Sequence, residues 1–192
     1  MRFWGERMPH LEEFARTHRV LHLGPGREAS LGVSVDISRD VRPDVVADLN
    51  RPPYPFRDNS FDAAYAFSVV EHLDNFLGVF TDLHRVLKPG GFVALLTPHF
   101  SNAASFIDPS HRLHLSIRSF DYFIEGTSLF ASYGFYTRVR YRVRERLLML
   151  ETPWTHVPGL QRAANRWPAL YEEHLCYLLR GSGIYMELEA VK

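Results

Sequence analysis

The sequence predicts an α/β protein with an open, doubly wound parallel sheet, because short apolar strands alternate with helical segments along its first half. An apolar run at residues 20–23 ends in Gly24-Pro25-Gly26, as a buried strand opening into a tight turn would. Residues 61–68 are small and apolar enough for a strand buried on both faces. After Asp74, a predicted N-cap, an amphipathic helical stripe follows and stops at Lys88-Pro89-Gly90-Gly91.

Composition limits the class of protein. The 192 residues are enough for one domain, spanning residues 1–192, with a full core. A hydrophobic content of 46% with 14% aromatic residues excludes a disordered chain, and the zero formal net charge argues against a nucleic-acid partner. The single cysteine, Cys176, lies among apolar residues, which excludes a disulfide framework and a thiolate metal cluster. Because no apolar run approaches the roughly 20 residues of a membrane helix, we expect a soluble cytoplasmic protein without a membrane partner.

The remaining elements of the first half follow in order. Pro9 is predicted to start one short helix within residues 1–18. So few residues separate the first two strands that their crossover helix must be short, since a parallel pair usually needs about a dozen intervening residues. Further strands are predicted at residues 44–49 and 92–97, where apolar runs end in an acid or in Thr97.

The second half carries a regular series of arginines. Residues 136–150 are predicted as a long strand with arginines at every second position, which places them on one face. These are Arg138, Arg140, Arg142, Arg144 and Arg146. The stripe could bind an anionic partner, or it could be the charged edge that protects a sheet from aggregation, which the neutral net charge favours. A helical segment at about 153–180 and a last strand at 183–192 follow.

Polar residues follow the ends of several predicted strands. Ligands of open α/β sheets bind outside the carboxyl ends of the strands. Missing side chains at Gly24 and Gly26 allow backbone N–H groups to approach a ligand there. Asp36, at the tip of the second strand, suits the paired hydroxyls of a ribose. The sequence therefore predicts a nucleoside site at this edge, where further polar residues are Asp48, Ser68 and His99.

Six stretches of the sequence form a series with regular spacing. They are Val20-Leu21-His22-Leu23-Gly24-Pro25-Gly26, Val35-Asp36-Ile37, Ala47-Asp48-Leu49, Pro55-Phe56-Arg57-Asp58-Asn59-Ser60-Phe61-Asp62, Val70-Glu71-His72-Leu73 and Leu83-His84-Arg85-Val86-Leu87-Lys88-Pro89-Gly90-Gly91. In this order they resemble the class I S-adenosylmethionine-dependent methyltransferases, of the small type represented by methyltransferase type 11. The resemblance covers residues 19–100 densely, and the part from 55 to 91 argues against a nicotinamide-binding Rossmann domain.

The resemblance implies a seven-stranded Rossmann-like sheet in which the last strand is antiparallel. That strand would lie between the fifth strand and the arginine-bearing strand, which then becomes a sheet edge. Residues 19–97 would form the cofactor-binding half and residues 98–192 the acceptor-side half, with the helical segment at about 153–180 inserted in it. This segment would cover the substrate or form a homodimer contact.

The resemblance also implies S-adenosyl-L-methionine as the cofactor. Gly24 and Gly26 would lie near its methionine part, and Asp36 would hold the ribose hydroxyls. Asp48 and the Leu49 backbone would meet the adenine. The full implied set is Leu23, Gly24, Pro25, Gly26, Asp36, Ile37, Asp48, Leu49, Phe67 and Ser68, where Ile37 and Leu49 are walls for the base and Phe67 with Ser68 line the methionyl side.

Two positions differ from the pattern of the family. His22 stands where the family usually has an acid, and Arg27-Glu28 replaces the small residue and third glycine that normally open the first helix. These differences favour one alternative, a non-catalytic protein of the same fold that binds S-adenosylmethionine or another nucleoside.

The chemical requirements of methyl transfer indicate which residues are candidates for catalysis. Alignment of the acceptor contributes most to such a displacement, and a base matters when the acceptor is a hydroxyl. His99, directly after the fifth strand, and His111 are the predicted bases, because histidine titrates near neutral pH. Predicted acceptor contacts are His72, Asp108 and His114. There are alternatives for each of these residues. His99 could be a loop histidine that is hydrogen-bonded to the backbone, residues 108–114 could have capping or surface roles, and Glu71-His72 could be structural.

We therefore expect a methyltransferase for a small-molecule or saccharide-type acceptor, acting at oxygen, with no metal ion. Two other functions stay open beside the non-catalytic binding protein. One is a nucleic-acid or protein methyltransferase that uses the arginine stripe. The other is a metal-dependent hydrolase, in which zinc would be held by His99, Asp108, His111 and His114.

Overall fold

The computed structural model describes residues 2–192, with side chains from Pro9 onward. Within these residues seven strands form one mixed sheet. They are β1 (Val20–Leu23), β2 (Val33–Asp36), β3 (Val45–Val46), β4 (Phe61–Phe67), β5 (Leu87–Pro98), β6 (Arg140–Leu150) and β7 (Gly181–Val191). Their order is β3-β2-β1-β4-β5-β7-β6, and β7 runs antiparallel to both of its neighbours. The predicted fold is confirmed, including the last strand between the fifth strand and the arginine-bearing edge.

The helices differ more from the predictions than the strands do. They are α1 (Arg2–Thr17), α2 (Phe76–Val86), α3 (Ala104–Ile107), α4 (Ser128–Tyr133), α5 (Leu160–Arg166) and α6 (Pro168–Leu170), which continues into the π-helix Tyr171–Leu175. Single 3₁₀ turns occur at Arg39–Val41, Val70–His72, Ser119–Phe123, Gly134–Tyr136 and Trp154–His156. Pro9 lies inside α1 and does not start it, because an internal proline can remove a backbone hydrogen bond without ending the helix.

The ends of α2 also correct the sequence prediction. Asn75, and not Asp74, is the N-cap, since its side chain accepts a hydrogen bond from the Gly78 N–H at 3.1 Å. The Asp74 N–H instead donates to Asn50, outside the helix. At the other end, residues 88–91 do not form a separate turn but belong to β5, which already pairs with β4 at Leu87.

The short helix predicted between β1 and β2 is absent. Residues 24–32 instead form turns and bends. The chain returns directly against β1: a Cβ atom on Gly32 would lie 2.3 Å from the Val20 carbonyl oxygen. The Leu31 N–H donates to Nδ1 of His22, 3.2 Å away, and so ties the returning chain to the first strand. Such close contact leaves no room for a helix over this strand pair.

The sheet carries apolar layers on both faces. The larger layer includes α2 residues such as Phe80 and Leu83, packed against Phe120 and Phe123 of the segment after α3. On the other face, Tyr65 packs with residues of α1 and donates its hydroxyl hydrogen bond to the Leu11 carbonyl at 3.0 Å. The sheet is thereby buried from both sides, as the continuous apolar composition of β4 predicts.

The arginine-bearing strand does not keep its predicted alternation. The register of β6 against β7 shifts at Arg144, which is an extra residue of a β-bulge. Arg142 therefore lies on the face that carries Glu189, whereas Arg146 lies on the opposite face against Asp121. The prediction that all five arginines share one face is wrong beyond the bulge, because an extra residue reverses the period of two.

Most of these arginines pair with carboxylates of the same chain. The pairs are Arg140–Glu125 (3.5 Å), Arg142–Glu189 (3.3 Å), Arg144–Glu187 (3.9 Å) and Arg146–Asp121. Because β6 is the last strand of the sheet, these charges lie along its open edge. The pairing favours edge protection over a surface for an anionic partner.

Among the helices of residues 2–192, none is both long enough and apolar enough to cross a membrane.

His22 makes stability depend on pH. Burial lowers the pKa of His22 from 6.5 to about 4, so between these pH values the unfolded chain binds the proton and the folded protein does not. Acidification from pH 7 to pH 4 should therefore remove about 3 kcal/mol of stability through this residue. In His22→Asn, whose amide oxygen can replace Nδ1 as acceptor, this part of the pH dependence should vanish. Urea unfolding at pH 7, 5.5 and 4 measures it, and parallel pH curves for the two proteins would refute it.

Candidate functional site

A cavity of ≈ 340 Å³ lies at the carboxyl ends of β1, β2 and β4, within the size range of about 300–1,000 Å³ that small-molecule sites occupy. It is lined by Gly24, Asp36, Ile37, Asp48, Leu49, Asn50, Ser68, Val69, His72 and Leu73. The structure thus brings together most of the predicted nucleoside-site residues and adds His72 from the predicted acceptor side. The parallel strands cause this, because their carboxyl ends meet at one edge of the sheet.

Asp36 is held against the glycine bend after β1. Its Oδ2 accepts a hydrogen bond from the Gly26 N–H at 3.2 Å, and its Oδ1 accepts one from the Ser38 N–H at 2.8 Å. A carboxylate has about four lone-pair sites, so both oxygens can accept further hydrogen bonds from a ligand. The geometry therefore offers a fixed acceptor pair at the mouth of the cavity.

The two glycines of the bend have different surroundings. Both adopt positive φ, 54° at Gly24 and 58° at Gly26. A Cβ atom on Gly24 would lie 2.8 Å from a methyl group of Val69, whereas one on Gly26 would meet nothing within 4 Å. Gly24 is thus required by packing as well as by backbone conformation, and the space beside Gly26 is open.

The wall opposite the bend combines apolar and acidic groups. Ile37 is 68% exposed although it is apolar, and Leu49 is buried beside it in the lining. Oδ1 of Asp48 accepts from the Asn50 N–H at 2.9 Å, and its Oδ2 pairs with Arg51 at 3.2 Å. An exposed isoleucine on a cavity wall offers a flat apolar surface to a ring.

Ser68 lies on the same cavity with a strained backbone. Its φ of 53° is in the left-handed region that residues other than glycine rarely adopt. Its N–H donates to the Leu96 carbonyl of β5 at 2.8 Å, which holds the end of β4 in place. Strain of this kind is concentrated at functional sites, where surrounding structure maintains it.

Some predicted residues are not in the lining. The Phe67 side chain lies on the opposite face of the sheet, where it stacks on Tyr65 at 5.8 Å, because alternate residues of β4 point to opposite faces. Leu23 is buried in the core, 1% exposed, and Pro25 belongs to the bend without lining the cavity. Sequence reasoning in turn missed three lining residues, for which only their position next to predicted ones gave a signal: Asn50, Val69 and Leu73.

His99 occupies a structural position. The ring is fully buried, Nδ1 accepts from the Ser101 N–H at 3.2 Å, and Nε2 donates to Glu172 at 3.1 Å. Glu172 also accepts from the Ser116 hydroxyl at 2.6 Å and the Ile117 N–H at 2.8 Å. Burial, the use of both ring nitrogens and the absence of His99 from the cavity lining favour the structural alternative, and the catalytic role of His99 stays a prediction.

The titratable groups that do lie beside the cavity are Glu71, His72 and His111. One ligand atom from each lies within 4.8 Å of the others, and the two imidazole rings are 4.6 Å apart between centroids. Glu71 is 2% exposed, and burial raises the pKa of its carboxyl above the ordinary value. His99 is not part of this group, so the zinc set considered from the sequence is not assembled.

The other two predicted acceptor contacts lie on the surface. Asp108 is exposed and accepts hydrogen bonds from the Ser110 N–H at 2.8 Å and the Ser110 hydroxyl at 2.6 Å. These bonds hold the pKa of the Asp108 carboxyl below its ordinary value. The exposed His114 ring stacks on Phe106 at 4.0 Å between centroids. Neither residue lines the cavity.

Comparisons with known sequences identify a related domain. The family model described as a methyltransferase domain matches residues 27–95. A sterol 24-C-methyltransferase of Gibberella zeae is 54% identical over 37 residues, which are 19% of this chain and 10% of that protein. A demethylmenaquinone methyltransferase of Tropheryma whipplei is 41% identical over 67 residues, 35% of this chain and 27% of that protein. The similarity thus spans between 10% and 27% of these relatives' lengths.

Comparison with solved structures extends over nearly the whole chain. A SAM-dependent methyltransferase from Archaeoglobus fulgidus superposes with a TM-score of 0.63 at 18% sequence identity, covering 97% of this chain and 91% of that one. At this identity the likeness concerns the fold alone. It includes the second half, which the family model does not reach.

The glycine bend provides a matched pair of substitutions. Gly26→Ala should cost about 1–2 kcal/mol, because alanine is strained at positive φ. Gly24→Ala should cost at least about 1 kcal/mol more, because its methyl group also collides with Val69. Urea unfolding of both variants measures the difference. Equal losses would contradict the packing account of Gly24.

His99→Ala tests the structural role of this ring. The variant leaves a cavity and removes one of the three hydrogen bonds that Glu172 accepts, so we expect a loss of about 3 kcal/mol in the free energy of unfolding. His114→Ala is the control, because its ring is exposed and should cost within about 0.5 kcal/mol. A His99 variant as stable as the control would refute the structural role.

Proposed function

We propose that the chain is a class I S-adenosylmethionine-dependent methyltransferase, which transfers a methyl group from S-adenosylmethionine to an oxygen of a small-molecule or saccharide-type acceptor; the methyltransferase-domain match over residues 27–95 and the shared fold support this. The observation that carries the proposal is the Gly26–Asp36 hydrogen bond, which fixes a carboxylate beside a glycine bend at the mouth of a cavity. The proposal also includes a cytoplasmic location, which the free, buried Cys176 and the lack of any second cysteine support.

The residues present fit an adenosyl group. Asp36 has free acceptor capacity for two ribose hydroxyls, and the exposed Ile37 faces the same space as Leu49, as two apolar walls around a base would. Asp48 lies in the lining next to Leu49, where an exocyclic amine could donate to it. No side chain fills the space beside Gly26.

Within this site the chain's own residues would bind and orient the ligand, and they would exclude water from it. Asp36 and the walls Ile37 and Leu49 would set the position of the nucleoside, while Gly24 permits close approach of the backbone. Ser68 and His72 would lie on the side toward the acceptor half. The cofactor supplies an electrophilic methyl group on a positively charged sulfur. Alignment is worth up to roughly 7–11 kcal/mol, so rigid walls matter more here than a strong base.

The site differs from the usual phosphate or nucleotide cradle in its electrostatics. No helix begins in residues 24–32, so this crossover contributes no helix dipole to the cavity. The lining contains the two carboxyl groups of Asp36 and Asp48 and no lysine or arginine. A negative lining favours a ligand that carries positive charge, as a sulfonium with an amino group does.

The acceptor is proposed to be a small molecule because the arginine stripe is engaged within the chain. Four of its five arginines pair with acids, which leaves little of it for a polyanion. The sterol and demethylmenaquinone acceptors belong to the relatives named above, and their similarity covers too little of this chain to carry over an acceptor. Residues 153–180, with the exposed Trp167 and Tyr177, are the proposed cover or homodimer contact.

Calorimetric titration with S-adenosylhomocysteine tests the cofactor site. Asp36→Asn should weaken binding by about 10- to 100-fold, because a charged acceptor of paired hydroxyls is lost. Asp40→Asn removes the same charge from an exposed position nearby and should bind like the wild type. Equal affinities for the two variants, or no binding by the wild type, would count against the site.

Turnover needs a separate measurement. Transfer of a labelled methyl group should be detected with a panel of hydroxylated small molecules and sugars, and it should decrease in Asp36→Asn at limiting cofactor. If the wild type binds the cofactor but methylates no acceptor in the panel, the non-catalytic binding protein becomes the better description.

A further inference from the structure

We infer that Glu71, His72 and His111 form a divalent metal site beside the cofactor cavity, suited to zinc or a similar transition metal. One ligand atom of each lies within 4.8 Å of the others. Two histidines with one carboxylate are a recurrent ligand set for catalytic zinc and for iron with open positions. The set shares only His111 with the one that the sequence offered, because the fold brings Glu71 and His72 to it in place of His99, Asp108 and His114.

The first argument is the state of Glu71. The residue is 2% exposed, and among the described residues 2–192 neither carboxylate oxygen has a partner with the geometry of a hydrogen bond; the Thr97 hydroxyl lies close enough to interact with the carboxyl but is itself outside that geometry. A buried carboxylate without partners is costly and is rare in native structures. A cation bound to one of its oxygens would balance the buried charge, which explains why an acid can occupy this position.

The second argument is the hydrogen bonding of His111. Its Nδ1 lies 3.1 Å from the Ser105 carbonyl oxygen, which can only accept, so Nδ1 carries the proton. Nε2 therefore keeps its lone pair. Its nearest charged neighbour is Asp108 at 4.0 Å. A backbone carbonyl on one nitrogen and a metal on the other is the usual arrangement of a ligating histidine.

His72 is oriented in the same way through a serine. The Ser110 hydroxyl donates to Asp108 at 2.6 Å and so can accept from His72 Nδ1, which is 3.0 Å from it. This places the proton of His72 on Nδ1 and leaves Nε2 free. The Asp108–Ser110–His72 chain is thus an outer shell that would fix the ring of a metal ligand.

The backbone keeps the two histidines together. The Glu71 carbonyl accepts hydrogen bonds from the N–H groups of Arg112 and Leu113, at 2.7 Å and 2.9 Å. These bonds join the turn after β4 to the segment that carries His111. Ligands of a tetrahedral zinc at about 2.0–2.1 Å are about 3.3 Å apart, so side-chain rotation of roughly an ångström would close the group.

The location suggests what the ion would do, and this step rests on the proposed function. His72 belongs both to the metal group and to the lining of the cofactor cavity. With three protein ligands, the ion keeps an open position that an acceptor hydroxyl can take. Its oxygen would donate a lone pair to the metal, and the weakened O–H bond would release its proton to water. The site would then select acceptors with a hydroxyl that can bind a metal.

Titration of the metal-free protein with Co²⁺ tests the inference, because Co²⁺ replaces zinc and has a visible spectrum. We expect one equivalent to bind, with weak absorption bands typical of nitrogen and oxygen ligands, and Zn²⁺ to displace it. A sulfur-to-cobalt band would contradict the site, because its ligands contain no thiol. Absence of Co²⁺ and Zn²⁺ binding by the wild type would overturn the inference.

Variants locate the ion. His72→Ala, His111→Ala and Glu71→Gln should each weaken Co²⁺ binding by at least about 10-fold, and Ser110→Ala, which loosens His72, should weaken it less. His114→Ala is the control: it lies three residues from His111, also bonds to Ser105, and should bind Co²⁺ like the wild type. Binding equal to wild type in the triad variants, or lost in the control, would overturn the assignment.

Two further measurements separate folding and cofactor effects from metal effects. Circular dichroism and thermal melts of each metal-free variant show whether it folds, and Zn²⁺ should raise the melting temperature of the wild type but not of Glu71→Gln. S-adenosylhomocysteine titration of the metal-free wild type tests the proposed function alone. Cofactor binding without metal binding defeats only the metal site, and metal binding without cofactor binding defeats only the proposed function.

Discussion

The short connection between β1 and β2 is the constraint on which the site depends. Two parallel strands joined by residues 24–32 leave no length for a helix, so the chain must turn at once and return against β1. Gly32 touches the Val20 backbone, and His22 accepts a hydrogen bond from Leu31. Because burial keeps the pKa of His22 low, its ring stays neutral at pH 7 and accepts this hydrogen bond without placing a charge in the core. The unusual residue in the first strand therefore suits the unusual crossover.

The same constraint determines how the cavity is organised. Without a helix after the bend, the crossover contributes no helix dipole to the ligand site, and Asp36 orders the glycine bend through the Gly26 N–H instead. The carboxylate has two tasks in this arrangement, because it fixes the backbone and still offers lone pairs to a ligand. Ser68, held at positive φ by its bond to β5, forms another rigid part of the wall. The cavity is thus built from backbone turns that strands hold in place.

The acceptor half shows a division of tasks among its histidines. His99 and Glu172 form a buried network that links the end of β5 to residues 116–117 and to the π-helix. Its role is to join segments that are far apart in the chain. The metal site proposed above uses different residues, because His111 of this half meets Glu71 and His72 of the first half, and surrounding oxygens orient the two rings. Its buried Glu71 carboxylate is less well satisfied by hydrogen bonds than Glu172 is.

The sequence by itself determined the α/β sheet and the residues at its strand tips, because periods of two and 3.6 and the glycine turns are local properties of the chain, whereas the order of the strands was implied only by the family resemblance. The location of Asp36 and Asp48 at the ligand edge of the sheet follows from their positions in the sequence alone, since parallel strands end at one edge. Only the tertiary structure decided which face Phe67 and Arg146 take, since strand registers and one bulge set this. It also decided that His99 is buried, because Glu172, its partner, is distant in sequence and is brought to it only by packing.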